Sequence, residues 1–164
     1  MARNIKNTMK YETNKNKLRI GCGLDHEGDY VNLDISDYCK PDIVHDIRNG
    51  LPQFSDNQMT EIQAWGVLEM ILPNEEFRLV MNELWRVLKP DGTLDGQVPS
   101  TDERVLMIDP FDRRWFHPET WRYFDYRENA HRQFGTMYKI KPWVADNFKV
   151  NDNGICIFRW RPYK

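Results

Sequence analysis

No stretch of this chain approaches the roughly 20 apolar residues that a bilayer-crossing helix needs, and its start has no apolar core of the secretory-signal kind. Cysteine is scarce: Cys22, Cys39 and Cys156 stand far apart and form no C-x-x-C pair. That pattern suggests neither a disulfide framework nor a zinc site, and a reducing cytoplasm is the expected compartment. Excess charge is missing too. The net charge of −2 gives no bulk attraction for nucleic acid or an anionic membrane. Repeats, low-complexity segments and a Walker lysine pattern are all absent from the sequence.

What is present is an ordinary globular composition, with 40% hydrophobic and 29% charged residues in a chain of 164. That length suits one domain with a continuous core. Charge is uneven: residues 1–100 carry net −5 and residues 101–164 net +3. The second part also holds Trp115, Trp121, Trp143 and Trp160, four of the six tryptophans.

The most informative stretch is Leu18-Arg19-Ile20-Gly21-Cys22-Gly23, read with Tyr30-Val31-Asn32-Leu33-Asp34. A short apolar run enters two glycines, and a second run ends on an acid eleven residues after Gly23. Glycines after a first strand let backbone approach a ligand closely. An acid at the tip of the second strand can accept from both ribose hydroxyls. An ordinary strand ending in a Gly turn, with a surface Asp nearby, would look the same.

Residues 1–17 are polar, rich in Asn and Lys, and read as a loose arm before a single domain over 18–164. Leu18–Cys22 is the first expected strand. Only about eight residues separate it from Tyr30–Asp34, whereas a parallel crossover takes about a dozen or more; the usual first helix must shrink to a turn. Asp37–Asp42 is turn-like and Ile43-Val44-His45 a short third strand ending at Asp46. Residues 51–57 read as a loop and Met59–Trp65 as the fourth strand. Asn74 can cap a helix with Glu75 and Glu76 in its first turn, and Phe77, Val80, Met81, Leu84 and Leu88 share one stripe. Lys89-Pro90-Asp91-Gly92 stops it. Thr93–Val98 is a fifth strand weakened by Asp95 and Gly96, and a long polar connection runs from Pro99 to Phe116. Pro118 opens a short helix over Glu119–Tyr126. One strand within Met137–Val150, a turn at Asn151-Asp152-Asn153-Gly154 and a return over Ile155–Trp160 make an antiparallel pair. The expected fold is α/β: a Rossmann-like, doubly wound, mostly parallel sheet with a C-terminal antiparallel hairpin and a shortened first crossover.

A dinucleotide would need G-x-G-x-x-G, but the third glycine falls at His26. S-adenosylmethionine has no phosphate and fits better. Gly21, Cys22 and Gly23 offer bare backbone, Asp34 a ribose acid, and Asp46 a partner for the adenine amino group, with Ile47 or Ile35 against the ring. Trp65 stands where an aromatic face could attract a sulfonium, or it simply fills the core. These motifs resemble those of class I S-adenosylmethionine-dependent methyltransferases, in particular a small subgroup reading L-x-L-G-C-G, a short gap, then G-Y-x-N-x-D. Gly28–Asp34 matches the second element, and Asp42–Arg48 with Leu51-Pro52 the third. Val67-Leu68-Glu69-Met70 stands where that family has V-L-E-H. Leu84–Gly92 is its run before the fifth strand, and Asp109-Pro110 with Phe116–Asp125 is similar to its D-P…F-T-P-E-T-F-R-Y-F-D. The resemblance implies the fold, the cofactor and methyl transfer. The chain departs from it in three places. Arg19 replaces an acid that holds the methionine ammonium in many members, Asp25 replaces a third glycine, and Met70 replaces the histidine.

Methyl transfer from a sulfonium is an in-line displacement that asks for alignment and exclusion of water; a hydroxyl or amine acceptor also needs a base. Asp109, Asp112 and His117 are the candidates, with Asp109 and His117 put forward as catalytic. Asp109 would otherwise be a turn acid and His117 a helix start. Arg113 and Arg114 could hold an anionic acceptor. No metal is expected. The acceptor expected is a small or sugar-like molecule, and neither membrane nor nucleic acid is an expected partner. Two other readings stay open. Arg113-Arg114-Trp115-Phe116 and Trp121-Arg122-Tyr123-Phe124 interleave arginine with aromatics as single-strand binders do, although D/N-P-P-Y/W is missing. A methyltransferase fold that only binds a partner is the other. Oligomeric state is not legible.

Overall fold

The computed structural model describes residues 10–164. Nine of the seventeen residues read as an N-terminal arm, 1–9, lie outside it. Within 10–17, the Tyr11 N–H donates to Gln53 O (3.1 Å), and Asn16 O accepts from the Thr60 N–H (2.7 Å).

Seven strands form one sheet: β1 (Lys17–Ile20), β2 (Tyr30–Asp34), β3 (Ile43–Val44), β4 (Met59–Trp65), β5 (Leu88–Pro99), β6 (Trp143–Val150) and β7 (Ile155–Pro162). Their order is β3-β2-β1-β4-β5-β7-β6. The first five are parallel, and β7 runs antiparallel to both β5 and β6. The order reverses between β1 and β4, the switch point where α/β sheets open a crevice beyond the carboxyl ends of their strands. The mostly parallel sheet and the C-terminal antiparallel hairpin are those the sequence predicts.

The short first crossover is possible because the strands it joins are short. Returning from Ile20 to Tyr30, the partner of Lys17, means travelling back roughly 10 Å along the strand at ~3.3 Å per residue, which residues 21–29 cover without a helix. Polar contacts then hold that loop. Glu27 N–H donates to Asn32 Oδ1 (3.1 Å), and Asn32 Nδ2 donates to Glu27 O (3.1 Å).

Helical cover lies on one face of the sheet. Helix α1 (Asn74–Val87) buries Phe77, Val80, Met81, Leu84 and Val87 in a core shared with Leu18, Ile20, Leu33, Ile62, Leu94, Phe158 and Trp160. The 3-10 helix Pro118–Tyr123 and helix α2 (Asn129–Tyr138) lie on the same side: Asn82 of α1 donates to Lys139 O (2.9 Å) and Trp85 to Pro142 O (2.8 Å). Strand residues alternate between faces, so the other face carries Arg19, Asn32, Glu61, Gln63, Trp65, Asp95 and Arg159. Several are paired there, among them Tyr30 with Glu61 and Arg159 with Asp95 (2.5 Å).

Several element boundaries move. β1 ends at Ile20, so Gly21 follows it directly. α1 stops at Val87, but the Lys89–Gly92 breaker does not form a separate turn. It is absorbed as an irregularity of a twelve-residue β5, where Met59 pairs with Leu88 and Glu61 with Thr93. Gly96 does not weaken that strand. A Cβ there would stand 2.6 Å from the Phe158 ring, which covers Gly96 from the antiparallel partner position. The helix expected over Glu119–Tyr126 is the 3-10 helix Pro118–Tyr123, and α2, unforeseen, takes the start of the stretch assigned to the sixth strand.

An aromatic cluster closes the C-terminal side. Trp121 stacks on Phe116 at 4.9 Å and meets Trp160 edge-on at 4.3 Å. Phe116, Trp121 and Phe124 are buried, so these rings of the arginine–aromatic stretches present no stacking platform. Among the described residues no helix is long and apolar enough to cross a membrane.

Candidate functional site

Two neighbouring places sit beyond the carboxyl ends of the parallel strands. The first is built on the loop after β1. Gly21 and Gly23 both have positive φ, +60° and +55°, which favours glycine. Their surroundings differ. A Cβ at Gly21 would stand 2.8 Å from Val67 Cγ2, whereas a Cβ at Gly23 would meet nothing within 4 Å. Gly21 is thus needed for packing against the chain itself, and Gly23 borders open space. The Gly23 N–H donates to Asp34 Oδ2 and the Ser36 N–H to Asp34 Oδ1, both at 2.9 Å. Each oxygen keeps a lone pair for a further donor.

Around this bond the surface is apolar: Leu24 is 74% and Ile35 61% exposed. Ile47, by contrast, is buried in the core. Asp46 caps the 3-10 helix Ile47–Asn49 through the Arg48 N–H (3.0 Å). Arg48 also grips it at 2.7 Å and holds its carboxyl below the usual range. Burial, then Asp34, pushes the Cys22 thiol up to about 11, so it stays protonated at neutral pH. Trp65 is turned to the other sheet face. Its indole N–H donates to Gln63 (3.1 Å), and it lines a groove of about 590 Å³ with Glu61, Asp95 and Arg159.

The second place is a cavity of about 220 Å³ between the ends of β4 and β5 and the long connection, with Glu69, Asp109 and Asp112 among its lining residues and an apolar wall that includes Val98, Val105 and Ile108. Glu69 lies in the 3-10 turn Leu68–Met70 just after β4. Its carbonyl accepts from the Arg113 N–H (3.1 Å), tying the connection over it. Its side chain is buried, and Oε2 has no hydrogen-bond partner among the described residues. Burial, helped by Asp112 and Asp109, raises its carboxyl to about 7. Asp112 is raised too, by burial and then by Asp109.

Of the two residues put forward as catalytic, Asp109 lines this cavity. His117 is not among its lining residues; its Nδ1 accepts from the Glu119 N–H (3.1 Å) at the start of the 118–123 turn. Arg114 turns away to Asn74 (2.9 Å) and lies over the Phe77 ring at 4.3 Å. Sequence reasoning met Glu69 only inside the Val67–Met70 motif and gave it no role. Its signal was an acid set between Leu68 and Met70 directly after a strand's carboxyl end. No group of three His, Cys, Asp or Glu among the described residues could hold a metal ion.

Comparison with solved structures finds the same fold in proteins 10–16% identical to this chain. An S-adenosylmethionine-dependent methyltransferase from Archaeoglobus fulgidus superposes with a TM-score of 0.58 at 16% identity, covering 84% of this chain and 66% of that one. The YcgJ protein from Bacillus subtilis gives 0.61 at 13% identity, over 96% of this chain and 94% of the other. The 1,6-didemethyltoxoflavin-N1-methyltransferase of Burkholderia thailandensis, with bound 1,6-didemethyltoxoflavin and S-adenosylhomocysteine, gives 0.60 at 10% identity, over 90% and 71%. No protein-family model and no curated protein sequence matches the chain.

Proposed function

We propose that this protein transfers a methyl group from S-adenosylmethionine to a small-molecule acceptor. The observation that carries the reading is the Gly23–Asp34 hydrogen bond at the switch point, with open space over Gly23 and the Glu69 cavity beyond the ends of β4 and β5. Gly23 offers backbone, the free lone pairs of Asp34 suit a ribose diol, Ile35 suits the adenine face, and Asp46 suits its amino group. Trp65, on the opposite face, is not part of this proposal.

When bound, S-adenosylmethionine supplies an electrophilic methyl group on a sulfonium whose departure needs no acid. The chain's own task is alignment and dryness. Val98, Val105 and Ile108 wall the acceptor cavity, and exclusion of water strengthens each polar contact inside it. The 1,6-didemethyltoxoflavin bound in the Burkholderia enzyme supports a small acceptor here. The three free cysteines suit a reducing compartment.

Calorimetric titration with S-adenosylmethionine and S-adenosylhomocysteine tests the reading. Binding of both is expected, and silence at millimolar ligand would sink it. A binding protein without methyl transfer is the second reading, favoured by Arg19, whose guanidinium is committed to Asp25 and Glu27. Tight S-adenosylhomocysteine with no transfer to any amine, hydroxyl or thiol would favour that one.

A further inference from the structure

We infer that the cavity beyond β4 and β5 selects a small cationic amine, and that Glu69 takes the proton this amine must lose before its nitrogen can accept a methyl group. The inference rests on the methyl-transfer reading above and adds the chemical class of the acceptor.

The starting point is an imbalance. Glu69 is only 6% exposed, and its Oε2 has no partner among the described residues. Burying a carboxylate is costly unless a cation or donors compensate it. Here the charged groups that face it are Asp112 and Asp109, both of its own sign. No lysine, arginine or histidine lines the cavity. Protonation neutralises Glu69 below about pH 7, and once it ionises the compensating cation has to arrive with the ligand. It is not a metal, since no three carboxylates, histidines or cysteines among the described residues are placed to share one. An organic ammonium fits both halves of the lining, with its charge on the acids and its carbon skeleton on Val98, Val105 and Ile108. A neutral hydroxyl would leave the acids uncompensated, and an anionic acid would add to the repulsion.

The chemistry follows from the same group. An ammonium has no lone pair with which to attack carbon. One N–H proton passes to the Glu69 carboxylate, leaving a neutral amine and a neutral carboxylic acid. The nitrogen lone pair then forms the N–C bond as the C–S bond breaks with its electron pair left on sulfur. The product is an N-methylammonium and a neutral thioether, and Glu69 afterwards returns its proton to water. A carboxyl raised to about 7 is better matched to this proton than an ordinary one.

The test uses the full chain without cofactor and three probes of one size: benzylamine, benzyl alcohol and benzoate. Nuclear magnetic resonance titration should show benzylamine alone moving the Glu69, Val105 and Asp112 signals. Glu69→Gln should weaken benzylamine at least tenfold while leaving S-adenosylhomocysteine affinity unchanged. Asp112→Asn, which keeps the buried Glu69, should weaken it about threefold. In turnover, the pH profile should rise through the ionisation of Glu69 and flatten in Glu69→Gln. Equal binding of benzyl alcohol, no binding of benzylamine, or undiminished affinity in both variants would overturn the inference. The two readings fail separately. Amine binding without S-adenosylhomocysteine binding overturns methyl transfer, and the converse overturns only the amine.

Discussion

Arg19 and Asp25 form an ion pair at 2.6 Å, and the other nitrogen of the same guanidinium holds Glu27 at 2.6 Å. The two positions that depart from the class I pattern in this loop are thus partners. Together they latch residues 21–29 where a longer crossover would carry a helix. Asp25 is 82% exposed on its side chain and Arg19 only 10%, so the loss should be asymmetric. Arg19→Ala is expected to cost about 1–2 kcal/mol and Asp25→Asn less than about 0.5 kcal/mol. Urea unfolding of both variants checks the difference, and faster hydrogen exchange confined to 21–29 in Arg19→Ala would locate it.

The two glycines of that loop should respond differently to the same methyl group. Gly21→Ala drives a Cβ to 2.8 Å from Val67 and should cost roughly 2–4 kcal/mol from overpacking and backbone strain. Adding Val67→Ala should recover part of it. Gly23→Ala meets only open space, so the backbone term of about 1 kcal/mol remains, while S-adenosylhomocysteine affinity should fall at least tenfold. Calorimetry and unfolding on the same samples separate the two. Unchanged affinity in Gly23→Ala would remove that glycine from the ligand site.

Glu69 makes stability depend on pH. Its carboxyl lies at about 7 against an ordinary 4.5, so between those values the folded chain binds more protons than the unfolded one. The stability linked to this proton is fully present below about pH 4.5 and is lost as pH rises through about 7. Glu69→Gln stays neutral throughout. It should stabilise the protein by roughly 1–3 kcal/mol at pH 8 and change little in acid. Identical urea midpoints for the two proteins at pH 8 would show that the carboxylate is not buried alone.

Arg86 ties α1 to the loop after β3. It donates to Glu83 (2.8 and 2.9 Å), to Asp56 (2.7 Å), and to the carbonyls of Phe54 (3.1 Å) and Leu51 (3.0 Å). Arg86→Ala strands those carbonyls and the partly buried Glu83. A loss of about 2–4 kcal/mol is expected by denaturant unfolding, and Arg86→Lys, which cannot fork to all of them, should recover less than half.

Local features were legible because local rules produce them. The stripe Phe77-Val80-Met81-Leu84 can only be one face of a helix, the run into Gly21 can only end a strand, and Asn151–Gly154 can only turn. The mostly parallel sheet and terminal hairpin followed from alternation and connection length. Even the missing first helix was a matter of counting residues between Cys22 and Tyr30.

Other outcomes needed distant partners. Lys89–Gly92 has every mark of a turn, yet it lies inside β5 because β4 pairs on either side of it, Met59 with Leu88 and Glu61 with Thr93. Gly96 is a strand breaker until Phe158 covers it. Glu69 is one acid among twenty-five until the long connection folds over it and removes water from its carboxylate. Burial, and with it charge state, depends on segments far away in sequence, so the strands could be read from the chain and the cavity between them only from the folded protein.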